Sequence, residues 1–331
     1  MRAFVIKEEN GQLTTGVREW PLVARDVADV VVRVKYSGLN YKDAMVASAP
    51  SRVRRVAELV GGVDAAGVVE ASSVDGLSVG QRVAVHGGDL GVGRDGGFAT
   101  HIYSPARYVS PLPDSISTRD AMIIGTAGFT AMASLLALED RGLARHATVL
   151  VTGATGGVGS QSVTYLAAKG YQPVASTGSP DEAAWLIARG ATRVIGRSDV
   201  SDRPGRVLGN ELWDGAIDCV GGETLAEILR SLRYGAAVAA SGLVASAELT
   251  TTVYPFITRG VALLGIDAPE ATPATRSRVW TALGEIASQV DFSTLADREI
   301  GLSDLGEGLE DVRRGVTRGR ILVSLSRDAQ L

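Results

Sequence analysis

A glycine-rich segment in the middle of the chain is the clearest chemical feature of the sequence. Residues 151–160 read Val-Thr-Gly-Ala-Thr-Gly-Gly-Val-Gly-Ser, between an apolar run and a segment with a helical pattern. Glycines at a strand-to-helix turn let the backbone approach a pyrophosphate, and the helix N-terminus presents free N–H groups to that anion. The spacing is Ala-x-Gly-x-x-Gly, preceded by Gly153, and no lysine follows as in a Walker loop. We interpret the segment as a dinucleotide-binding turn rather than an ordinary glycine-rich turn. Its predicted contacts are Gly153, Thr155, Gly156, Gly157, Val158 and Gly159.

The end of the next predicted strand indicates which dinucleotide binds. An NAD site places a carboxylate there to bind the ribose hydroxyls. Residues 175–179 read Ala-Ser-Thr-Gly-Ser, with no carboxylate before Asp181. Small side chains leave room for a 2′-phosphate, and Arg193 and Arg197 flank the third predicted strand. The sequence therefore predicts NADPH rather than NADH as the cofactor. The predicted contacts at this end are Ser176, Thr177, Ser179 and Arg197.

These segments belong to a regular alternation of strands and helices. Apolar strands are predicted at residues 148–152, 173–176, 194–195, 214–218, 236–240 and 261–265. Helices are predicted between them, as at 159–169 and 181–189, and this alternation is typical of a doubly wound parallel sheet with helices on both faces. The fold class is α/β.

The rest of the chain predicts a second, β-rich domain. Its first 110 or so residues read as short strands separated by glycine turns. An apolar segment from Ala121 to Leu138 contains Gly125 and Gly128, which predicts two helices meeting at a bend. The last strand-like run, 320–325, is predicted to rejoin the first domain. We place the domain boundaries at 1–121 plus 293–331 for the β-rich domain and 122–292 for the nucleotide-binding domain.

Composition excludes several classes of function. Lys and Arg total 33 against 37 for Asp and Glu, and a net charge of -4 argues against a nucleic-acid coat. No apolar stretch is expected to approach the ~20 residues that cross a bilayer, and the N-terminus lacks the features of a secretory signal. A single cysteine, Cys219, suits a reducing compartment. We expect a cytoplasmic protein with no membrane and no nucleic-acid partner.

Two motifs upstream of the nucleotide-binding pattern carry a family resemblance. They are Asn40-Tyr41-Lys42-Asp43 and Gly62-Val63-Asp64. Placed before such a fold, they resemble the medium-chain dehydrogenase/reductase superfamily, which implies a GroES-like β-rich catalytic domain plus a Rossmann domain. Zinc members carry a cysteine before the first aspartate and Gly-His-Glu in the second motif. This chain has neither, so the resemblance implies the zinc-free branch of quinone oxidoreductases and enoyl reductases, with no metal.

Longer strings resemble one group within that branch. They are residues 121–132, 138–140, 215–218 and 251–257. These strings are similar to the acrylyl-CoA reductase family, whose members reduce the conjugated C=C of acrylyl-CoA with NADPH. The resemblance implies an NADPH-dependent reductase of an α,β-unsaturated acyl-CoA or related enone. The alternatives are an NADPH:quinone reductase and a non-catalytic, crystallin-like NADP-binding protein.

The resemblance also implies roles for individual residues. Tyr41 is the candidate donor, which protonates the substrate, orders a water or walls the nicotinamide. Asn40 and Asp43 are expected to fix the loop that carries Tyr41. The remaining predicted cofactor contacts are Thr126, Thr130, Ser241, Gly242 and Leu243 on the nicotinamide side, with Cys219 and Val220 on the adenosine side.

Two surfaces are further candidates for binding. Arg52, Arg54 and Arg55 form either a solvated basic loop or a contact for the phosphates of coenzyme A. Residues 248–265 are predicted to be β-rich and to lie at the far edge of the parallel sheet. In the superfamily this edge pairs across a dimer, so we expect a homodimer. Three segments depart from the family pattern: Gly61-Gly62, the glycine-rich loop 91–98, and Thr177-Gly178-Ser179, where the family often has an arginine in place of Ser179.

Overall fold

A computed structural model of the chain describes residues 1–22, 30–202 and 206–325. The chain forms two compact units. The first comprises Met1–Thr126, Ala268–Ala287 and Asp291–Leu331, and the second comprises Ala127–Asp267 and Ser288–Val290. Contacts thus group residues 268–287 with the first unit, whereas the sequence-based boundaries of 121/122 and 292/293 remain a prediction.

The strands and helices follow each other in chain order. The strands are β1 (Arg2–Glu9), β2 (Gln12–Glu19), β3 (Val30–Leu39), β4 (Glu58–Val60), β5 (Asp64–Ser72), β6 (Arg82–His86), β7 (His101–Ser104), β8 (Val109–Pro111), β9 (Thr148–Thr152), β10 (Gln172–Thr177), β11 (Arg193–Gly196), β12 (Gly215–Asp218), β13 (Ala237–Ala240), β14 (Ala262–Gly265), β15 (Ala296–Ile300) and β16 (Arg320–Ser324). The helices are α1 (Tyr41–Val46), α2 (Thr118–Asp140), α3 (Gly157–Ala168), α4 (Ala183–Ile187), α5 (Gly222–Ser231), α6 (Tyr254–Arg259), α7 (Pro273–Ile286) and α8 (Leu305–Arg314).

The first unit is built on two sheets, as its short strands predict. One has the order β2-β1-β4, and the other has the order β15-β16-β3-β5-β6-β8, with β7 also paired to β3. In β3, Val30, Val32 and Val34 are buried while Arg33 and Lys35 are exposed, an alternation that turns one face of the strand to the core. The pairing of β16 with β3 confirms that the C-terminal strand rejoins the first domain.

The second unit contains the predicted parallel sheet. Its strand order is β11-β10-β9-β12-β13-β14, and every pair is parallel. From β9, the chain therefore adds β10 and β11 on one side of the sheet. It then returns to add β12, β13 and β14 on the other side. This is the doubly wound arrangement, in which ligands bind at the carboxyl ends of the strands where the order reverses.

The segment preceding the last strand of this sheet corrects one prediction. Residues 248–265 were expected to be β-rich, but they contain α6 before β14. Pro255 lies in the first turn of α6, where its missing N–H costs no hydrogen bond. Gly260 ends the helix in the left-handed region, at φ 61°. β14 itself lies at the edge of the sheet, as expected.

Helix α2 runs from the first unit into the second. It breaks at Gly125, where φ is 52° and ψ is -162°, which confirms the predicted bend. The expectation that no apolar stretch approaches membrane-spanning length was wrong. By length and composition alone, α2 is long and apolar enough to cross a membrane. In the structure, 83% of its most apolar window is buried, as in the core helix of a globular protein. Cellular location stays a prediction from the sequence.

Two of the segments that depart from the family pattern, Gly61-Gly62 and the loop 91–98, pack against each other. Gly97 N donates to Gly62 O over 2.8 Å, and Phe98 N donates to Gly61 O over 2.9 Å. A Cβ on Gly97 would lie 1.9 Å from the carbonyl oxygen of Asp64. The glycines in the two segments therefore allow two stretches of backbone to approach closely.

Candidate functional site

The turn between β3 and α1 presents Tyr41 to solvent. Asn40 N donates to Asp43 Oδ2 over 2.8 Å, and Asp43 N donates to Asn40 O over 3.0 Å. Asp43 Oδ1 also accepts from Val63 N over 2.9 Å, which ties α1 to the second motif. Asp43 is buried, whereas Tyr41 is 54% exposed. Asn40 and Asp43 thus hold the turn, and the phenol at its start remains accessible.

Sequence reasoning missed the most buried part of this region, an ion pair between Asp64 and Arg320. Arg320 Nη2 lies 2.9 Å from Asp64 Oδ2, and both side chains are almost fully buried. Asp64 Oδ2 also accepts from Asn40 Nδ2 over 2.7 Å, and the carboxylate accepts the backbone N–H and the hydroxyl of Thr126. An arginine opening an otherwise apolar strand, Arg-Ile-Leu-Val, was the only signal in the sequence.

The Asp43 carboxyl titrates far from its ordinary range. Burial and the negative charge of Asp64 together raise its pKa to about 7, although the N–H groups of Asn40 and Val63 and the charge of Arg320 oppose the rise. One arginine therefore serves two neighbouring carboxylates. A buried pair of acids with one cation favours protonation of one of them.

Replacing Asp43 by asparagine should change how stability depends on pH. The folded pKa of about 7 exceeds the ordinary value of 3.8, so between these pH values the folded chain holds a proton that the unfolded chain releases. The free energy of unfolding therefore falls as pH rises through this window, by up to ~1.4 kcal/mol per pH unit. Denaturation curves at pH 5, 6 and 7 should show a shallower loss of stability in Asp43→Asn. The exposed Asp75→Asn variant should follow the wild type, and parallel curves for Asp43→Asn and wild type would contradict the expectation.

In the second unit, the turn from β9 to α3 brings backbone atoms unusually close. Gly153 has φ 60°, and Gly156 N donates to Gly153 O over 3.0 Å. A Cβ on Gly159 would lie 2.3 Å from Gly153 O and 2.7 Å from Ala154 Cα. Thr155, Gly157 and Val158 are partly exposed and Gly156 is exposed. The turn thus leaves the first N–H groups of α3 accessible, and it fits the pyrophosphate of a dinucleotide.

Small side chains end β10, and one arginine from the segment after β11 lies beside them. Ser176 and Thr177 are buried, and Ser179 N donates to Thr177 Oγ1 over 3.0 Å. The guanidinium of Arg197 lies against Gly178, since a Cβ on Gly178 would lie 2.3 Å from Arg197 Cζ. Arg193 instead lies over the ring of Trp213, 5.8 Å from its centroid. Arg197 is therefore the cation at this strand end that fits a 2′-phosphate.

The loops after β12 and β13 meet at the same end of the sheet. A Cβ on Gly242 would lie 2.1 Å from Cys219 O, and Ser241 N donates to Asp218 O over 3.0 Å. Burial raises the pKa of the Cys219 thiol to about 12, and Asp218 adds to the effect, so the reactive thiolate is disfavoured. The other predicted contacts in this unit are Val220, partly exposed after β12, Leu243, exposed after β13, and Thr130, buried in α2.

The three arginines after α1 separate into two kinds. Arg54 is paired with Glu8 and donates to Val46 O over 2.6 Å, and its side chain is only 4% exposed. The structure therefore gives Arg54 a role in holding the chain together, which does not favour the predicted contact with substrate. Arg52 and Arg55 are exposed and remain candidates.

Comparison with known proteins places the chain in a family. A model described as alcohol dehydrogenase GroES-like domain matches residues 26–114, and one described as zinc-binding dehydrogenase matches residues 157–285. Acrylyl-CoA reductase AcuI of Ruegeria pomeroyi is 40% identical over 96% of this chain and 97% of its own length. The chain belongs to the medium-chain dehydrogenase/reductase family. It is thereby an oxidoreductase, with a GroES-like first unit and a Rossmann-type second unit.

Other members of the family are similarly close. The putative quinone oxidoreductase YhfP of Bacillus subtilis is 42% identical over 89% of this chain and 90% of its own length. The crystal structure of yhdH from Salmonella enterica in complex with NADP covers 98% of this chain and 100% of its own, with a TM-score of 0.92 and 37% identity. Bacillus subtilis yhfP with NAD bound covers 98% of this chain and 99% of its own, with a TM-score of 0.93 and 38% identity.

The name of one matching model implies zinc, and the residues of the two first-unit motifs do not fit that ion. At the motif positions, Val63 has an apolar side chain and the Asn40 amide nitrogen donates to Asp64. Among residues 1–22, 30–202 and 206–325, no group of three or more His, Cys, Asp or Glu side chains could hold a metal.

Proposed function

We propose that this member of the family is an NADPH-dependent reductase of a C=C bond conjugated to a carbonyl, with an unsaturated acyl-CoA such as acrylyl-CoA as its substrate class. The observation that carries the proposal is the exposed Tyr41 phenol, held by Asn40 and Asp43 in a motif that does not fit zinc. The 40% identity with an acrylyl-CoA reductase over nearly the whole chain supports the substrate class.

The chemistry needs one hydride and one proton. NADPH, when bound, supplies hydride to the carbon β to the carbonyl. Negative charge then develops on the carbonyl oxygen, and the α-carbon takes a proton from solvent water. We assign the Tyr41 hydroxyl to donate to that oxygen, because it is a neutral donor on an otherwise fixed turn and 54% exposed. Asn40 and Asp43 position it without touching the substrate.

The residues at the end of β10 indicate that the cofactor is NADPH. No carboxylate lies there to bind ribose hydroxyls, and the Arg197 guanidinium lies against Gly178. Arginine suits a phosphate because its planar fork forms paired, charge-assisted hydrogen bonds. NADP and NADPH complexes of two relatives agree with this choice, and one relative was crystallised with NAD.

A substrate panel tests the proposal. NADPH oxidation is measured with acrylyl-CoA, crotonyl-CoA, simple enones and quinones. We expect kcat/KM to be highest for a conjugated acyl-CoA or enone. A clear preference for quinones would favour the second candidate, quinone reduction, which the 42% identity to YhfP supports. If none of these substrates gave NADPH oxidation, the result would favour the alternative of a non-catalytic, NADP-binding protein.

Removing two exposed arginines should weaken acyl-CoA binding selectively. Arg52 and Arg55 are exposed on one loop, and Arg55 N donates to Val92 O over 2.9 Å, which fixes where that loop lies. We expect Arg52→Ala/Arg55→Ala to raise KM for an acyl-CoA by ~5–30-fold, as for the loss of ~1–2 kcal/mol of charge-assisted contacts with phosphate. KM for a small enone should stay unchanged, and Arg33→Ala, an exposed arginine on β3, is the control. Equal effects on both substrates would refute the contact.

We also propose that the protein is a homodimer through the edge strand β14. Val253, Tyr254 and Ile257 of the preceding segment are exposed by 64%, 49% and 73%. An edge strand beside exposed apolar side chains pairs readily with a second copy about a two-fold axis. Light scattering at micromolar concentration should give twice the chain mass, and Ile257→Lys should give the monomer. Val79→Lys, at an apolar position 70% exposed in the first unit, should remain dimeric, and a monomeric wild type would contradict the proposal.

A further inference from the structure

The ion pair between Arg320 and Asp64 joins segments that are far apart in the sequence. Arg320 is 3% exposed and Asp64 is fully buried. Arg320 Nη2 donates to Asp64 Oδ2 over 2.9 Å, across 256 positions of the chain. Taking two charges out of water is costly, and a well-packed apolar pair is often as stable. The pair therefore calls for an explanation other than stability.

The remaining donors of Arg320 go to two other segments of the first unit. Nη1 donates to Leu39 O over 2.5 Å and to Asn40 Oδ1 over 2.8 Å, directly before Tyr41. Nε donates to Ile123 O over 3.3 Å, directly before the break in α2. One guanidinium thus links the turn that carries Tyr41 to the backbone of α2.

Asp64 makes the same two connections from the acidic side. It accepts from Asn40 Nδ2 over 2.7 Å, and its carboxylate holds the backbone N–H of Thr126 at 3.1 Å as well as the Thr126 hydroxyl. Thr126 is the first residue after the break at Gly125. Both charged partners therefore bond to the turn before Tyr41 and to the broken part of α2.

Two glycines leave the space that the pair occupies. A Cβ on Gly125 would lie 2.4 Å from Arg320 Nη2 and 2.6 Å from Asp64 Oδ2. A Cβ on Gly38 would lie 2.5 Å from Arg320 Nη2. The backbone of both segments is thus shaped around the ion pair.

We propose that Arg320 and Asp64 are positioning residues for the reduction, which hold Tyr41 and Thr126 in one fixed geometry. This inference rests on the proposed function. Neither residue is assigned a contact with the substrate. Their role is to limit the motion of two segments, because small displacements of a donor cost much of its effect on rate.

A charge-neutral double variant separates positioning from stability. Arg320→Met alone leaves a buried, uncompensated carboxylate, and its Tm should fall by several degrees. Asp64→Asn/Arg320→Met removes both charges but leaves the carbonyls of Leu39 and Ile123 without Arg320, so its Tm should lie between those of Arg320→Met and the wild type. Its kcat for the best conjugated substrate should remain at least 30-fold lower, while its Kd for NADPH changes about threefold or less. Recovery of kcat together with Tm would overturn the inference.

A control variant and a hydrogen–deuterium exchange experiment test the positioning role of the ion pair further. Arg259→Met is the matched control, since Arg259 also donates to backbone carbonyls, those of Gly209, Arg230 and Leu232, but within the second unit. It should lower Tm and leave kcat within about twofold. Hydrogen–deuterium exchange in peptides covering 39–46 and 122–130 should be faster in the double variant than in the wild type. Unchanged exchange in these peptides would overturn the inference, whatever the activity of the wild type. A wild type that reduced none of the substrates would refute only the proposed function.

Discussion

Replacing Gly159 by alanine is expected to raise the Kd for NADPH by at least 100-fold. The added Cβ would lie 2.3 Å from Gly153 O and 2.7 Å from Ala154 Cα, and both are backbone atoms. They cannot rotate away as a flexible side chain would, so the strand-to-helix turn must shift. A shifted turn no longer aims the first N–H groups of α3 at a pyrophosphate. Fluorescence titration of NADPH gives the Kd.

The control for this variant is a glycine with free space. Gly306 lies in α8, and a Cβ there would meet no atom within 4 Å. Gly306→Ala should bind NADPH as the wild type does. Circular dichroism should show that both variants are folded. An unchanged Kd in a folded Gly159→Ala variant would show that NADPH does not bind at this turn.

Replacing Arg197 by alanine is expected to raise KM for NADPH by about 10–100-fold and to leave KM for NADH nearly unchanged. The side chain lies against Gly178 at the end of β10. There a guanidinium can bind a 2′-phosphate, and losing such charge-assisted hydrogen bonds costs ~1.5–3 kcal/mol. NADH lacks that phosphate, so the variant should prefer NADPH much less than the wild type does.

Arg193 provides the matched control. It belongs to β11 and lies over the ring of Trp213 rather than at the strand end. Arg193→Ala should therefore keep the ratio of kcat/KM for NADPH to that for NADH. If Arg197→Ala also kept this ratio, or if the wild type used both cofactors equally, the assignment of the 2′-phosphate to Arg197 would be refuted.

Features that depend on neighbouring residues were predictable from the sequence. The turn at 151–160, the small residues at 176–179 and the bend at Gly125 each follow from local pattern, and the structure has all three. The alternation of strands and helices likewise predicts the parallel sheet, because a parallel pair requires a crossover. Helix α6 shows the limit, since a short apolar run with Pro255 reads equally as an edge strand or a helix start.

Features that depend on distant residues were not predictable. Arg54 lies in a basic run, and only the fold shows that Glu8, 46 positions away, neutralises it. The pairing of Arg320 with Asp64 and the packing of Gly97 against Gly62 are contacts of the same kind. Periodicity reports which face of an element is buried, and it carries no information on which buried polar groups meet.

In the proposed reaction, hydride passes from NADPH to the β-carbon of a conjugated acyl-CoA. The most direct measurement uses NADPH deuterated at C4, on each face in turn, with acrylyl-CoA, and analyses the acyl product by mass spectrometry. We expect propionyl-CoA with a single deuterium on the β-carbon from one of the two labelled cofactors. NADPH oxidation no faster than without the protein, or a product with no deuterium from either cofactor, would contradict it.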